Sequence, residues 1–300
     1  MPPHQVEPIT VPGLDRRVHV FRYGRLVDSF AVVTERFIVI VDTMVNPAAA
    51  EQIWRLLDGD RISESRIPIV VNTHSDWDHA WGNGFFAGPT AAVPAPVFGH
   101  QATRGGLDLE QAQAKLAETS ALEPGMYESV EIALPSIEFE HTLSIHGGDL
   151  TLRLMPTPGH TPDHIAVWVP EIGLLIAGDG AEMPVPYVSD RSEITLLRRS
   201  LSQMAALDPS IVLYSHGGGF FSADLIDHNL AYFVEAEQRC RAFIDGAGDV
   251  VTLSPTALAW PLDQVMPPGG HLEPDEVAFY ESSHSRAVEA MGRWLATGDG

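Results

Sequence analysis

Ile67-Pro68-Ile69-Val70-Val71-Asn72-Thr73-His74-Ser75-Asp76-Trp77-Asp78-His79 is the stretch on which the reading of this sequence turns. Ile67 to Thr73 is an apolar run of the kind that forms a strand buried on both faces. It ends in His74, Asp76, Asp78 and His79, four metal-competent side chains within six residues. A ligand set this dense, on a loop leaving a rigid strand, is hard to explain as solvated decoration.

Upstream, Arg17 to Arg22, Val27 to Thr34 and Phe37 to Asp42 read as strands, with turns at Tyr23-Gly24 and Glu35-Arg36. Pro47 to Leu57 has helical spacing, and Asn46-Pro47 is its start signal. Downstream, Gly82 to Ala95 is rich in Gly, Pro and Ala, and Leu107 to Leu122 reads as an amphipathic helix, so about 84–136 is expected to be an insertion or cap. Strand character returns at Ile137 to Ile145, Leu150 to Met155, Ile165 to Val169 and Leu174 to Ala177. A helix over Ser192 to Leu207 leads into a strand at Ile211 to Tyr214. From Ser222 the chain reads as helical, with a tail over about 247–300 that ends in the helix Pro274 to Leu295. Two sheets packed together with helices outside, in one domain over 1–300, are expected.

The remaining candidate ligands repeat the first pattern. His160 follows a strand in Pro156-Thr157-Pro158-Gly159-His160-Thr161-Pro162, Asp179 ends another in Ala177-Gly178-Asp179-Gly180, and His216 a third in Ser215-His216-Gly217-Gly218. Each lies just beyond the C-terminal end of an apolar strand, so strand ends meeting at one edge would gather them.

The order His-x-Asp-x-Asp-His, Pro-Gly-His-Thr-Pro, Gly-Asp and His-Gly resembles the metallo-β-lactamase-fold superfamily of hydrolases, from about Val18 to Phe233. That resemblance implies an α/β fold, a four-layer αβ/βα sandwich, with two metal ions at one edge. Carried over by position, His74, Asp76 and His160 would hold the first ion, Asp78, His79 and His216 the second, and Asp179 would bridge them. A metal-bound hydroxide would be the nucleophile, and Asp78 would orient it and pass a proton to the leaving group. His164, four residues after His160, would support the ligands from behind.

The family's usual first motif has a second histidine where this chain has Asp76. With it, the carboxylates fully neutralise two divalent ions and a hydroxide, which weakens the Lewis acid. Zinc is the expected metal, and Asp76 brings in iron or manganese, which favour oxygen donors. The flavo-diiron branch also carries a carboxylate here, but no glycine-rich flavin fingerprint is present. A shorter Asp76 that falls short of the first ion is the other reading.

Composition bounds the partners. Forty acidic residues against eighteen basic ones give a net charge of −22, which repels nucleic acid and anionic membrane surfaces. A small-molecule substrate is therefore expected, with no nucleic acid and no membrane partner. The tail helix, with Phe279, Tyr280, Val288 and Met291 on its apolar side, would either cover the site or form a homodimer contact. The single cysteine, Cys240, reads as a buried inert thiol. No signal peptide is visible in the Pro-rich start, which points to a cytoplasmic protein.

Several features have a plainer reading. His4, His19, His100, His141, His146, His228, His271 and His284 read as structural, Trp77 and Trp81 as packing beneath the loop, and Gly217 to Gly219 as a tight strand exit. Tyr187 is a candidate substrate contact. Phe85 to Met126 is a candidate lid, with Phe85, Phe86, Met126 and Tyr127 as its apolar contacts. The expected activity is metal-dependent hydrolysis of a small ester, lactone, thioester or amide. The alternatives are an iron-dependent redox or oxygen-using enzyme, or a non-catalytic binding protein.

Overall fold

The computed structural model describes residues 5–106, 109–188 and 190–297. His4, the first two residues of the expected helix Leu107 to Leu122 and the last three of the tail lie outside the described residues. The strands form two sheets, and eight α-helices are described, so the chain has the mixed α/β fold expected. By internal packing it divides into two compact units, Met1–Pro156 with Pro162–Gly173, and Thr157–Thr161 with Leu174–Gly300.

The first unit opens with an antiparallel meander, β1 (Val6–Ile9), β2 (Val18–Tyr23), β3 (Val27–Val33) and β4 (Phe37–Val41). Helices α1 (Pro47–Leu56) and α2 (Gly59–Ser63) then carry the chain to β5 (Ile67–Val71), which runs parallel to β4. Asn46 caps α1, its side chain accepting a hydrogen bond from Ala49 N, and Pro47 sits where a missing N–H costs nothing. Ile53 and Trp54 of α1 are buried in the unit's core. Ile38 to Val41 and Ile69 to Val71 are buried whichever way they point, as the apolar run implied. The register Val41↔Val71 brings the two strands to an end side by side, which places Asp42 next to the loop that carries the candidate ligands.

That loop passes through α3 (Trp77–Ala80) and a 3-10 turn to β6 (Val97–His100), α4 (Ala102–Gly106), α5 (Leu109–Leu122) and β7 (Ile137–Phe139). Strands β1 to β7 form one seven-stranded sheet in sequence order. Two expectations change here. The stretch 84–136 contributes β6 to this sheet, and Phe85, Phe86 and Tyr127, expected as lid contacts, are buried in the core of the unit. Nor does α5 bury an apolar face: Leu109 and Leu122 are exposed, and Leu116 is only partly buried. Its leucines are spaced by seven and then six residues, and the six-residue step carries Leu122 off the Leu109–Leu116 stripe. The unit closes with an antiparallel ribbon of β8 (Leu143–His146), β9 (Thr151–Pro156) and β10 (Ile165–Val169).

In the second unit β11 (Leu174–Gly178) pairs in parallel with β12 (Ile211–Tyr214). Helix α6 (Arg191–Ala205) joins them and opens with a capping box of Asp190 and Glu193. Helices α7 (Asp224–Asp245) and α8 (Val277–Ala296) pack on α6 and on each other. A buried polar relay ties α7 to α8: the Tyr232 hydroxyl lies 2.8 Å from His284 Nδ1, and His284 Nε2 lies 2.8 Å from Trp260 O. Burial lowers the His284 pKa, so the ring sits neutral in this relay. Cys240 is buried in α7, and burial pushes its thiol up to about 12, which makes it unreactive as expected. No helix among the described residues is long and apolar enough to cross a membrane.

Candidate metal centre

Each unit carries its own set of candidate ligands. In the first, Asp42 organises the loop. It is fully buried at φ 64° just past β4, and its carboxylate accepts hydrogen bonds from Thr73 N (2.7 Å) and Thr73 Oγ1 (2.7 Å). His79 Nδ1 lies 2.9 Å from the same carboxylate. These contacts settle which ring nitrogens carry protons. An ionised carboxylate only accepts, so His79 holds its proton on Nδ1. Thr73 Oγ1 gives its one proton to Asp42, so toward His74 Nδ1, 3.0 Å away, it accepts. Both histidines therefore present Nε2 as a lone-pair donor.

The carboxylates of the loop lie beside those atoms. Asp76 Oδ2 is 3.5 Å from His74 Nε2, and Asp78 Oδ2 is 3.8 Å from His79 Nε2. The two imidazole rings are 4.1 Å apart. His164 is fully buried with its ring 5.4 Å from that of His74, and the adjacent Ile165 N donates to Thr73 O, so it backs the loop from β10. Trp81 is buried in the core and Trp77 packs against it, in keeping with the packing role. A cavity of about 30 Å³ lies behind His74, walled in part by Asn72, Asn83, Thr103 and Ala112.

In the second unit Asp179 Oδ2 lies 3.6 Å from His160 Nε2 and 3.3 Å from His216 Nε2, so one carboxylate oxygen faces both rings. Gly159 lets the His160 loop lie on α6: a Cβ there would come within 2.4 Å of Leu197 Cα. Behind His160, Glu182 Oε1 lies 3.2 Å from Nδ1, within ion-pair distance. Glu182 is itself buried, and Asn229 of α7 brackets its backbone, accepting from Glu182 N and donating to Glu182 O. Tyr187 stands 5.4 Å from the His160 ring. Tyr280 of α8 feels Glu182, His216 and Asp179. Burial first, and these carboxylates second, push its phenol up to about 12, so it remains a hydrogen-bond donor at neutral pH.

These separations fit a small divalent ion. Two ligands bound at 2.0–2.1 Å with a tetrahedral angle between them stand about 3.4 Å apart. The four imidazole–carboxylate separations run from 3.3 to 3.8 Å, near that value, and most exceed a good hydrogen bond. The mixed nitrogen and oxygen donor set is also one that such ions accept.

Residues 22–216 match the metallo-β-lactamase superfamily. The chain belongs to that superfamily. Solved relatives agree in fold. A metallo-β-lactamase family protein from Thermus thermophilus is 18% identical, with 99% of this chain and 95% of that one covered and a TM-score of 0.61. A β-lactamase domain protein from Burkholderia ambifaria is also 18% identical, covering 97% and 88%, with a TM-score of 0.64. The metallo-β-lactamase from Pontibacter korlensis is 17% identical over 77% of this chain and 99% of that one, with a TM-score of 0.55. At these identities the likeness speaks for the fold alone. No curated protein matches the sequence.

Two residues of the site escaped sequence reasoning, Asp42 and Glu182. Asp42 carried a usable signal, since it too stands at the C-terminal end of an apolar strand; Glu182 carried none beyond lying three residues after Asp179. Removing the charge behind His160 should loosen the donor set. Glu182→Gln is expected to lower metal affinity about tenfold, measured by competition with a chromophoric chelator. An unchanged affinity would reduce Glu182 to a packing residue.

Proposed function

We propose that this chain is a metal-dependent hydrolase of a small-molecule ester, lactone, thioester or amide. The observation that carries the reading is the donor set: imidazole Nε2 atoms each 3.3–3.8 Å from an acidic oxygen, with the His79 ring held by the buried Asp42 carboxylate. His74, Asp76 and His160 would hold one ion, Asp78, His79 and His216 a second, and Asp179 would touch both. When bound, divalent ions in such a set acidify water and polarise a substrate oxygen. Asp78, whose side chain is nearly buried, is placed to orient the attacking water, accept its proton and return it to the leaving group. Asp42 holds the His79 ring in orientation while this happens, and the Glu182 carboxylate stands 3.2 Å from His160 Nδ1. Tyr187 is the candidate contact to the substrate's oxygen. The net charge of −22 favours a small substrate over nucleic acid.

A screen across esters, lactones, thioesters and phosphoesters, run beside metal analysis, tests the reading. Purified protein should hold close to two equivalents of metal and cleave an acyl substrate, and His79→Ala should lower kcat/KM by about 100-fold or more. Activity that survives His79→Ala belongs elsewhere.

Asp76 favours a second reading, iron-dependent redox chemistry. Its carboxylate lies beside His74 and remains about half exposed, so an oxygen donor stands where a ligand can reach. Visible absorption and oxygen consumption decide it, since a colourless zinc protein discards iron.

A further inference from the structure

In the second unit, a guanidinium stands near the candidate ligands with no ion pair among the described residues. Arg286 of α8 lies over the ring of Tyr187, its central carbon 4.9 Å from the ring centre. The Tyr187 ring is 5.4 Å from that of His160, so the guanidinium is no more than about 10 Å from a candidate metal ligand. Its Nη2 donates to Ser283 Oγ at 3.1 Å, while its Nε is buried with no acceptor. No carboxylate of the described residues lies within salt-bridge distance of it.

Acidic residues outnumber basic ones by more than two to one, and neighbouring helical arginines find them: Arg198 pairs with Glu237 and Arg239 with Glu235. A desolvated donor left without an acceptor is costly, and it is a group that an anionic ligand relieves. The ring under the guanidinium covers one face, and a carboxylate meets the edge of such a planar fork with two parallel bonds. Phe279, about half exposed, stacks on Tyr187 at 6.5 Å and extends an apolar ledge away from the ligands. Charge and ledge together describe a substrate with an apolar spacer that ends in an anion.

We propose that Arg286 binds a carboxylate at the far end of the substrate, so that the preferred substrates are acyl compounds carrying a second, free carboxyl group. This deepens the hydrolase reading and rests on it for the word substrate, while the anion site stands on Arg286, Tyr187 and Phe279. Arg286 is a specificity residue. It has no part in bond cleavage, so its loss falls on KM of the carboxylate substrate and spares kcat.

The test compares adipate with hexanoate, which share one carboxylate and differ in the second, by calorimetric titration of the metal-loaded protein. Wild type should bind adipate at least tenfold more tightly, and Arg286→Met should erase the difference while leaving hexanoate unchanged. Arg286→Gln, which keeps a donor and loses the charge, is read in parallel and carries the test should the methionine variant fail to fold. Hydrolysis of monophenyl adipate against phenyl hexanoate is the second arm, with KM for the adipate ester rising tenfold in the variants. Equal affinities in wild type, or a preference that survives both substitutions, overturns the anion site. An Arg286-dependent preference for adipate with neither ester cleaved upholds the anion site and removes the hydrolase reading alone.

Discussion

Asp42→Ala should cost about 3–5 kcal/mol of stability and abolish stoichiometric metal binding. The carboxylate accepts from Thr73 N and Thr73 Oγ1 and holds His79 Nδ1, in a place with no exposed surface. Alanine leaves all three polar groups without their acceptor, and each buried unmet group costs about 1–3 kcal/mol. Metal binding falls for a separate reason. Without the acceptor on Nδ1, the His79 ring is free to rotate and to exchange tautomers, and Thr73 no longer presents a lone pair to His74. Urea denaturation gives the first quantity and metal analysis the second. Asp42→Asn separates them: it tolerates the left-handed backbone at φ 64° and preserves shape. Its amide must still aim a donor at one of three donors, so metal affinity should fall at least tenfold with a smaller loss of stability. Full metal occupancy in Asp42→Asn would show that the carboxylate serves the fold only.

Gly82→Ala should prevent accumulation of folded protein. A Cβ at this position would lie 1.9 Å from Thr43 O and 2.8 Å from Thr43 C, backbone atoms that no side-chain rotation moves. The two segments are held together here by backbone bonds, Gly82 N to Met44 O at 2.9 Å and Thr43 N to His79 O at 2.8 Å. Room for a methyl group requires the exit of β4 and the turn carrying His79 to part by roughly 1 Å or more. Both hydrogen bonds then stretch, along with the contact of His79 to Asp42. The expected loss exceeds about 3 kcal/mol, the upper range for overpacking a rigid site. Soluble yield and thermal midpoint check it. Gly84→Ala, where a Cβ meets nothing nearer than 3.5 Å, is the control and should behave as wild type. Wild-type stability in Gly82→Ala would mean that the approach of the two backbones is looser than described.

Much of the site was legible because its parts are local. His74, Asp76, Asp78 and His79 share one turn, and the strand before them is apolar enough to be recognised alone. The same holds for His160, Asp179 and His216, each one or a few residues past a strand. The strand inside the expected cap was not legible because β6 is four residues long and sits among Gly, Pro and Ala; only pairing with β5 and β7 makes it a strand. Three of the expected lid contacts were not legible for a related reason. Phe85, Phe86 and Tyr127 look alike in sequence whether they line an opening or fill a core, and only burial tells them apart.

The sequence by itself determined the fold class, the superfamily and the order of the candidate ligands, because these follow from strand-length apolar runs and from residues adjacent to them. Tertiary structure decided which nitrogen His74 and His79 offer, since that depends on Asp42, which meets His79 from 37 residues away. It also decided that Arg286, one arginine among many in the chain, stands over Tyr187 near His160 with no ion pair among the described residues. Hydrogen-bond partners and charge neighbours are set by distance in space, and sequence spacing carries that distance only within a turn or a strand.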